Sequence, residues 1–332
     1  MNKLFIKNAF IFLLTAFFLI FTGCGAQSKA QTSDKTEDFT NQTRVITLDV
    51  LDGNLTLILT PGRTVLIGVG SSNNAEKTIE KLKGYGVKDI DVLILNSVLE
   101  EHVLNLSNIL ENFNVKSAFV PDIVSVFLDN FPLYKTQYEM LLNKIGSSNI
   151  KKIKALEKIS FNDGLLAFLT PLDKLNENSS YSELFSAKTP TEEQVNNISP
   201  IIYFSYKGVR FVFSNFAGKS QEQTVLEYDK VFAYDKAFGK GAINLNGIDF
   251  LSLSRNGSSS ANSFEFIEKV KAKNLLISVS GNNKNGCPSE KVISSALISY
   301  KDCKVHSTAI KGDICTYISA NGDYVVKSQK EI

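Results

Sequence analysis

The stretch LNSVLEEHVLNL, Leu95 to Leu106, follows an apolar run and brings an imidazole, two carboxylates and a hydroxyl close together in sequence. His102 offers an imidazole, which serves near neutral pH as a general base or a metal ligand. Glu101 places a carboxylate beside it. Ser97 offers a hydroxyl, but a hydrolytic serine needs a base, and none is evident for it. Cys287 offers a thiol that could act as a nucleophile if His102 lay within hydrogen-bond reach. NGSSSANS, residues 256–263, could present backbone N–H groups to an anion, or serve as a loop and helix cap. The plainer reading of His102 is a residue near a helix start, where Glu100 and Glu101 suit the helix dipole. Imidazoles are scarce, since His306 is the only other histidine. A hydrolytic zinc site takes about three protein ligands and an open position for water, so two histidines argue against one.

The elements that would position these residues follow from the hydrophobic pattern. RVITLDV, LTLILT and TVLIGVG, separated by LDGN and PGR, read as a strand meander. NAEKTIEKLKGYG reads as a helix with a glycine stop, and DIDVLIL as a strand covered on both faces. LSNILENFN is a helix, VKSAFVP a strand, and VSVFLDNFPLYKTQYEMLLNKIG mostly helical with a break at Pro132. KKIK, 151–154, reads as a solvated face, and LEKISFNDGLLAFLTP as strand, turn, strand. After a loop at 173–197, PIIYFSY and VRFVFSN around the turn KG repeat the meander. QTVLEY is then a helix, KVFAYD a strand, IDFLSLS a strand, SFEFIEKVK a helix, KNLLISVS a strand and SEKVISSALISY a helix. KVHSTAI and ICTYIS around GD read as a closing hairpin. Two strand meanders, each followed by alternating helix and strand, predict an α+β fold, an αββα sandwich of two packed mixed sheets with helices outside.

The amino end is set apart. MNKLFIK carries Lys3 and Lys7 and leads into an apolar run that stops at Cys24, within FTGCGAQ. This resembles the bacterial lipoprotein signal, which implies cleavage before Cys24 and lipidation of its thiol; Phe21 departs from the leucine more usual there. Residues 1–23 are then a signal peptide, 24–44 a tether almost free of aliphatic side chains, and 45–328 the domain, on the extracytoplasmic face of the cell membrane. Without Lys3 and Lys7 the 36 basic residues become 34, matching the 34 acidic ones. A neutral body does not favour nucleic acid, whose ligands carry a basic face. Cys287, Cys303 and Cys315 form no CxxC pair; one disulfide among them is allowed, and the odd count leaves a free thiol.

The order of elements and their turns resembles the metallo-β-lactamase fold. Within it the chain is most similar, over about residues 44–325, to the hydrolase-like domain of ComEC-type competence proteins. The family's DVGQGDA stands against DVLDGNL at 49–55, and TILIDGG against TVLIGVG at 64–70. KLGIKKID stands against KGYGVKDID at 83–91, and THPHADHIGGL against NSVLEEHVLNL at 96–106. GGFRFLFTGD stands against KGVRFVFSNF at 207–216, VPHHGS against LSRNGS at 253–258, and NRYGHPS against NKNGCPS at 283–289. The scaffold residues match while the chemical ones do not. Gly68 and Phe216 replace aspartates, and Glu101 replaces the aspartate of the metal loop. Ser97, Leu99, Arg255, Asn256 and Cys287 replace histidines, and of the loop's three histidines only His102 remains.

The resemblance therefore implies a degenerate site without metal and a binding or scaffolding role, toward a protein or a small anionic ligand. If the family geometry holds, Arg255 sits in the groove and favours an anion over a divalent cation. The alternatives are a hydrolase of ComEC type, phosphodiesterase or nuclease-like, with zinc or manganese on Glu101, His102 and Cys287, and a DNA-uptake accessory that binds without cutting.

Overall fold

The computed structural model describes residues 42–331 other than 52, 124–128, 172–189 and 284. The signal segment expected at 1–23, Cys24 and nearly all of the expected tether lie outside the described residues. The tether's last two positions are already strand, since β1 begins at Thr43 (Thr43–Thr47). β2 (Thr56–Thr60) and β3 (Arg63–Ile67) complete the first meander, and α1 follows at Ala75–Gly84. Short parallel segments β4 (Asp89–Ile90), β5 (Val92–Ile94), β6 (Asn114–Val115) and β7 (Ala118–Val120) enclose α2 (Glu100–Val103) and α3 (Leu106–Asn112). α4 (Pro132–Ile145) starts at the proline expected to break the helix. Proline suits the first turn, where its missing N–H has no partner to lose.

β8 (Ile150–Lys152), β9 (Lys158–Phe161) and β10 (Gly164–Phe168) come next, then α5 (Glu192–Asn196). β11 (Ile202–Tyr206) and β12 (Val209–Phe213) form the second hairpin. Its turn KG has Lys207 at φ 48° and Gly208 at φ 83°, the paired positive values that match the twist of tight hairpins. The rest alternates: α6 (Lys219–Lys230), α7 (Ala233–Phe238), β13 (Phe250–Ser252), α8 (Phe264–Val270), β14 (Asn274–Ile277), α9 (Glu290–Ser299), β15 (Lys304–Ser307), α10 (Thr308–Lys311), β16 (Ile314–Ile318) and β17 (Tyr324–Ser328).

Eight strands make one mixed sheet, in the order β17-β16-β1-β2-β3-β5-β7-β8, and seven make the other, β15-β14-β13-β12-β11-β10-β9. Alternation along each strand divides the apolar residues between layers. Val65 and Ile67 of β3 face the space between the sheets, where they meet Phe168, Phe204, Phe211 and Phe250. Leu66 points the other way, into a layer with Ile79 and Leu82 of α1, Ile109 of α3 and Leu141 of α4. On the far side, Tyr203 and Val212 pack under Val225 of α6, Tyr234 of α7, Phe266 of α8 and Val292 of α9. This is the αββα sandwich expected from the sequence. Each fully buried phenylalanine of the central layer contributes roughly 2 kcal/mol of burial free energy.

Four local expectations are corrected. KKIK is not a solvated face: Ile150–Lys152 is the edge strand β8, and Ile153 is buried. KVFAYD is not a strand; it holds the end of α6 and the start of α7, because Tyr234 anchors it against the outer layer rather than a sheet edge. KVHSTAI and ICTYIS do not form a hairpin. β15 runs parallel to β14 in the seven-stranded sheet, whereas β16 pairs with β1 and β17 in the other. No disulfide forms either: Cys287, Cys303 and Cys315 are free, and Cys303 and Cys315 lie in opposite outer layers. No helix among the described residues is long and apolar enough to cross a membrane.

Candidate functional site

β3, β5 and β7 run parallel in one sheet and β12, β13 and β14 in the other. The loops leaving the carboxyl ends of β3, β5, β12, β13 and β14 meet around a groove of about 720 Å³. Glu101, His102, Phe216, Arg255, Asn256 and Cys287 all line it. Ser97, Leu99 and Gly68 do not. Ser97 is buried behind the imidazole, and Leu99 packs against the outer layer of the eight-stranded sheet.

Gly68 explains its own identity. At φ 76° it occupies the left-handed region, and a Cβ there would lie 2.3 Å from the carbonyl oxygen of Asn54. No aspartate fits without moving the strand end.

His102 is not the solvated helix-start residue that the sequence suggested. It does lie in the first turn of α2, but its side chain is only 9% exposed. Its ring stacks on Phe216 with centroids 3.5 Å apart and planes 12° from parallel. Burial, and secondarily the Arg255 cation, depress its pKa to about 3, so the ring is neutral near pH 7. Nδ1 lies 3.0 Å from Ser97 Oγ, which also accepts the N–H of Leu99 at 3.2 Å. A basic nitrogen beside Ser97 is therefore present, contrary to expectation. The pair is nonetheless closed off from substrate: Ser97 is 4% exposed, and Glu101 Oε1 stands 4.0 Å from Nε2, beyond hydrogen-bond length.

Arg255 and Asn256 both sit in the left-handed region, at φ 49° and 59°. A buried network holds them there. Ser254 Oγ donates to the carbonyl of Ala217 at 2.5 Å, and the Asn262 amide bridges the N–H and carbonyl of Ser254 at 2.9 Å each. Behind this loop, the fully buried Glu222 accepts the N–H groups of Asn262 and Ser263 at 2.6 and 2.7 Å. The N–H groups of NGSSSANS thus bind an anion that the protein itself supplies, on α6. Cys287 turns its thiol toward the carbonyls of Arg255 and Asn285, 3.9 and 3.8 Å away, and burial raises its pKa. Among the described residues no hydrogen bond joins it to His102. His306 is on β15, its Nε2 3.1 Å from Asn274 Oδ1.

Among the groove residues that no motif marked are two from one short helix. Glu192 and Asn196 come from α5, which corrects the loop expected over 173–197: its end is helical, started by a Thr191–Gln194 capping box. Glu192 Oε1 lies 3.4 Å from Arg255 Nη2. Among the described residues, no group of three or more His, Cys, Asp or Glu side chains is placed to hold a metal ion.

The layers and strand order define an αββα sandwich of two mixed sheets, consistent with the metallo-β-lactamase-like fold. The particular likeness is to ComE operon protein 3 of Bacillus subtilis (strain 168), 23% identical over 214 residues, which are 64% of this chain and 23% of that protein. The chain thus matches less than a quarter of the length of this curated relative. No family model matches. Solved structures similar to the chain include the metallo-β-lactamase fold protein YhfI from Bacillus subtilis, with TM-score 0.47, 10% identity, and coverage of 86% of this chain and 100% of that one. Another is Igni18, a metallo hydrolase from Ignicoccus hospitalis KIN4/I, with TM-score 0.45, 8% identity, and coverage of 86% and 98%.

Proposed function

We propose that the chain is a membrane-anchored, extracytoplasmic lipoprotein whose sandwich domain binds a ligand and does not hydrolyse it. The observation that carries the binding reading is the Phe216 ring lying on His102, at the position where the resemblance implies a metal-bridging carboxylate. The other positions that the resemblance marks do not fit a divalent ion either. Leu99 points into the core, Gly68 has no room for a side chain, and Arg255 sets a fixed positive charge beside the imidazole. A guanidinium repels a divalent cation and attracts an anion. The groove then serves a small anionic ligand, or a protein that presents one. Nucleic acid is disfavoured by the neutral body, and would betray itself by steep salt dependence.

The test is the full chain in detergent, purified without chelator. Metal content far below one ion per chain, no phosphodiesterase activity and a melting temperature unmoved by chelator are expected. Stoichiometric zinc or manganese, with hydrolysis that disappears in His102→Ala, would restore the metal-dependent hydrolase. The anchor rests on Cys24 alone and is tested separately. Cys24→Ser should lose lipid labelling and leave the membrane fraction, and a variant still labelled would reject the anchor.

A further inference from the structure

We infer that the end of the domain opposite the groove rests on an anionic lipid surface, so that the groove opens away from the bilayer. This rests on the reading of the chain as a lipid-anchored protein. The strand order fixes which end is which. β1 and β3 both pair antiparallel with β2, so they run the same way, and the groove lies at the carboxyl end of β3. Thr43, at the amino end of β1, is therefore at the far end, about 15 Å away along a strand of five residues. The chain that leads back to Cys24 joins the domain there. Thr43 lies opposite Ile318, and Ile318 opposite Tyr324, the first residue of β17. Tyr324 links the two sheets: its hydroxyl accepts the amide of Asn274 at 3.2 Å, and its ring meets Phe250 edge-on, with centroids 4.9 Å apart.

Apolar side chains around this corner are uncovered. Ile298, in the last turn of α9, is 75% exposed, and Val325 of β17 is 55% exposed. Tyr300 and Val305 are exposed beside them. α9 ends here because Lys304, five residues beyond it, donates its N–H to the carbonyl of Lys273, just before β14. The turns at this end hold three ion pairs, Lys116–Asp91, Lys207–Asp163 and Lys273–Asp249. Left over are Arg63, Lys88, Lys271, Lys301 and Lys304, against Asp89, Asp302 and Asp323. The surplus is positive, which suits anionic head groups. Tyrosine and aliphatic side chains among lysines suit the boundary between head groups and acyl chains, where the lysine stems lie along apolar surface and their heads reach phosphate. An acidic protein would meet the same charges, but the tether brings the bilayer to this end in every molecule. A tethered contact needs little affinity of its own, because the anchor makes it intramolecular. The groove then faces the aqueous side and draws its ligand from there.

The chain has no tryptophan, so a single one reports its own surroundings. The experiment places it at Ile298→Trp, or at Asn73→Trp on the exposed rim of the groove. The full, lipid-labelled chain is reconstituted into vesicles of phosphatidylcholine and phosphatidylglycerol with brominated acyl chains. Bromine should quench Ile298→Trp severalfold more than Asn73→Trp, and the difference should vanish in vesicles of phosphatidylcholine alone. Adding Lys301→Gln or Lys304→Gln to Ile298→Trp should lower the ratio of docked to undocked chain about fivefold each. Equal quenching of the two reporters, or none at Ile298→Trp, in a chain still lipid-labelled and still floating with the vesicles would overturn the docking and leave the anchor standing. Stronger quenching at Asn73→Trp would reverse the orientation and overturn it too. A blue shift of Ile298→Trp that grows with protein density, without quenching, would assign the surface to a second copy of the chain instead. A chain without lipid label would overturn the anchor and this inference together.

Discussion

A histidine pressed flat against a phenylalanine is poorly placed to accept a proton. In the unfolded chain His102 would protonate near pH 6.5, whereas in the folded chain its pKa is about 3. Between those values the unfolded state binds more protons, so His102 lowers stability as pH falls through that window and contributes no pH dependence above it. His102→Phe keeps an aromatic ring for the stack and removes the titration. The fall in melting temperature between about pH 7.5 and pH 5 should therefore be smaller in His102→Phe than in the parent. Equal falls in the two proteins would show that the ring is protonated as easily in the native state as in the unfolded one. Gly68 gives a second test at this scale. Gly68→Asp restores the aspartate implied by the resemblance, but its Cβ meets the Asn54 carbonyl at 2.3 Å and its φ is 76°. The substitution should cost about 2–4 kcal/mol in urea unfolding and bring no metal with it. A neutral outcome would mean that the strand end yields more readily than its geometry indicates.

At the scale of elements, the loop after β13 depends on a carboxylate from α6. Glu222 answers two buried N–H groups, and burial raises its pKa against the pull of those same bonds. Glu222→Ala leaves both donors unpaired and should cost about 2–4 kcal/mol. Glu222→Gln keeps one acceptor oxygen and should cost roughly half as much. Urea titrations of the three proteins give the ranking, and a Gln variant no better than Ala would place the stabilisation in the charge instead of the hydrogen bonds. The sequence displayed much of this architecture, because strands covered on both faces and amphipathic helices carry distinct periods. RVITLDV, TVLIGVG and VRFVFSN were readable on those grounds. KVFAYD was not, since Val231, Phe232 and Tyr234 look like a strand, whereas Val231 and Phe232 form the exposed turn between α6 and α7 and Tyr234 packs under the outer layer from α7. β17 was missed because YVVKS is half exposed along an edge, without the alternation that burial enforces. The groove was legible where motifs mark it, at His102, Phe216 and Arg255. The stack of His102 on Phe216, the contact with Ser97 and the arrival of Glu192 and Asn196 join segments far apart in the chain, and no spacing records them.

At the largest scale, the described domain is a sandwich whose eight-stranded sheet contains both the first and the last strands described. β1 lies between β2 and β16, with Thr43 opposite Ile318. A chain released from its amino end can pair β1 with β2 at once, but the other edge of β1 waits for β16. Through that interval the backbone groups of one of the sheet's inner strands are unpaired, and Val45, which belongs to the layer between the sheets, has only part of its cover. Contacts between such distant segments are slow to form, because a long loop must close before any pairing rewards it. The order of strands therefore acts as a clock. The eight-stranded sheet is not complete around β1 until nearly all of the domain has been made.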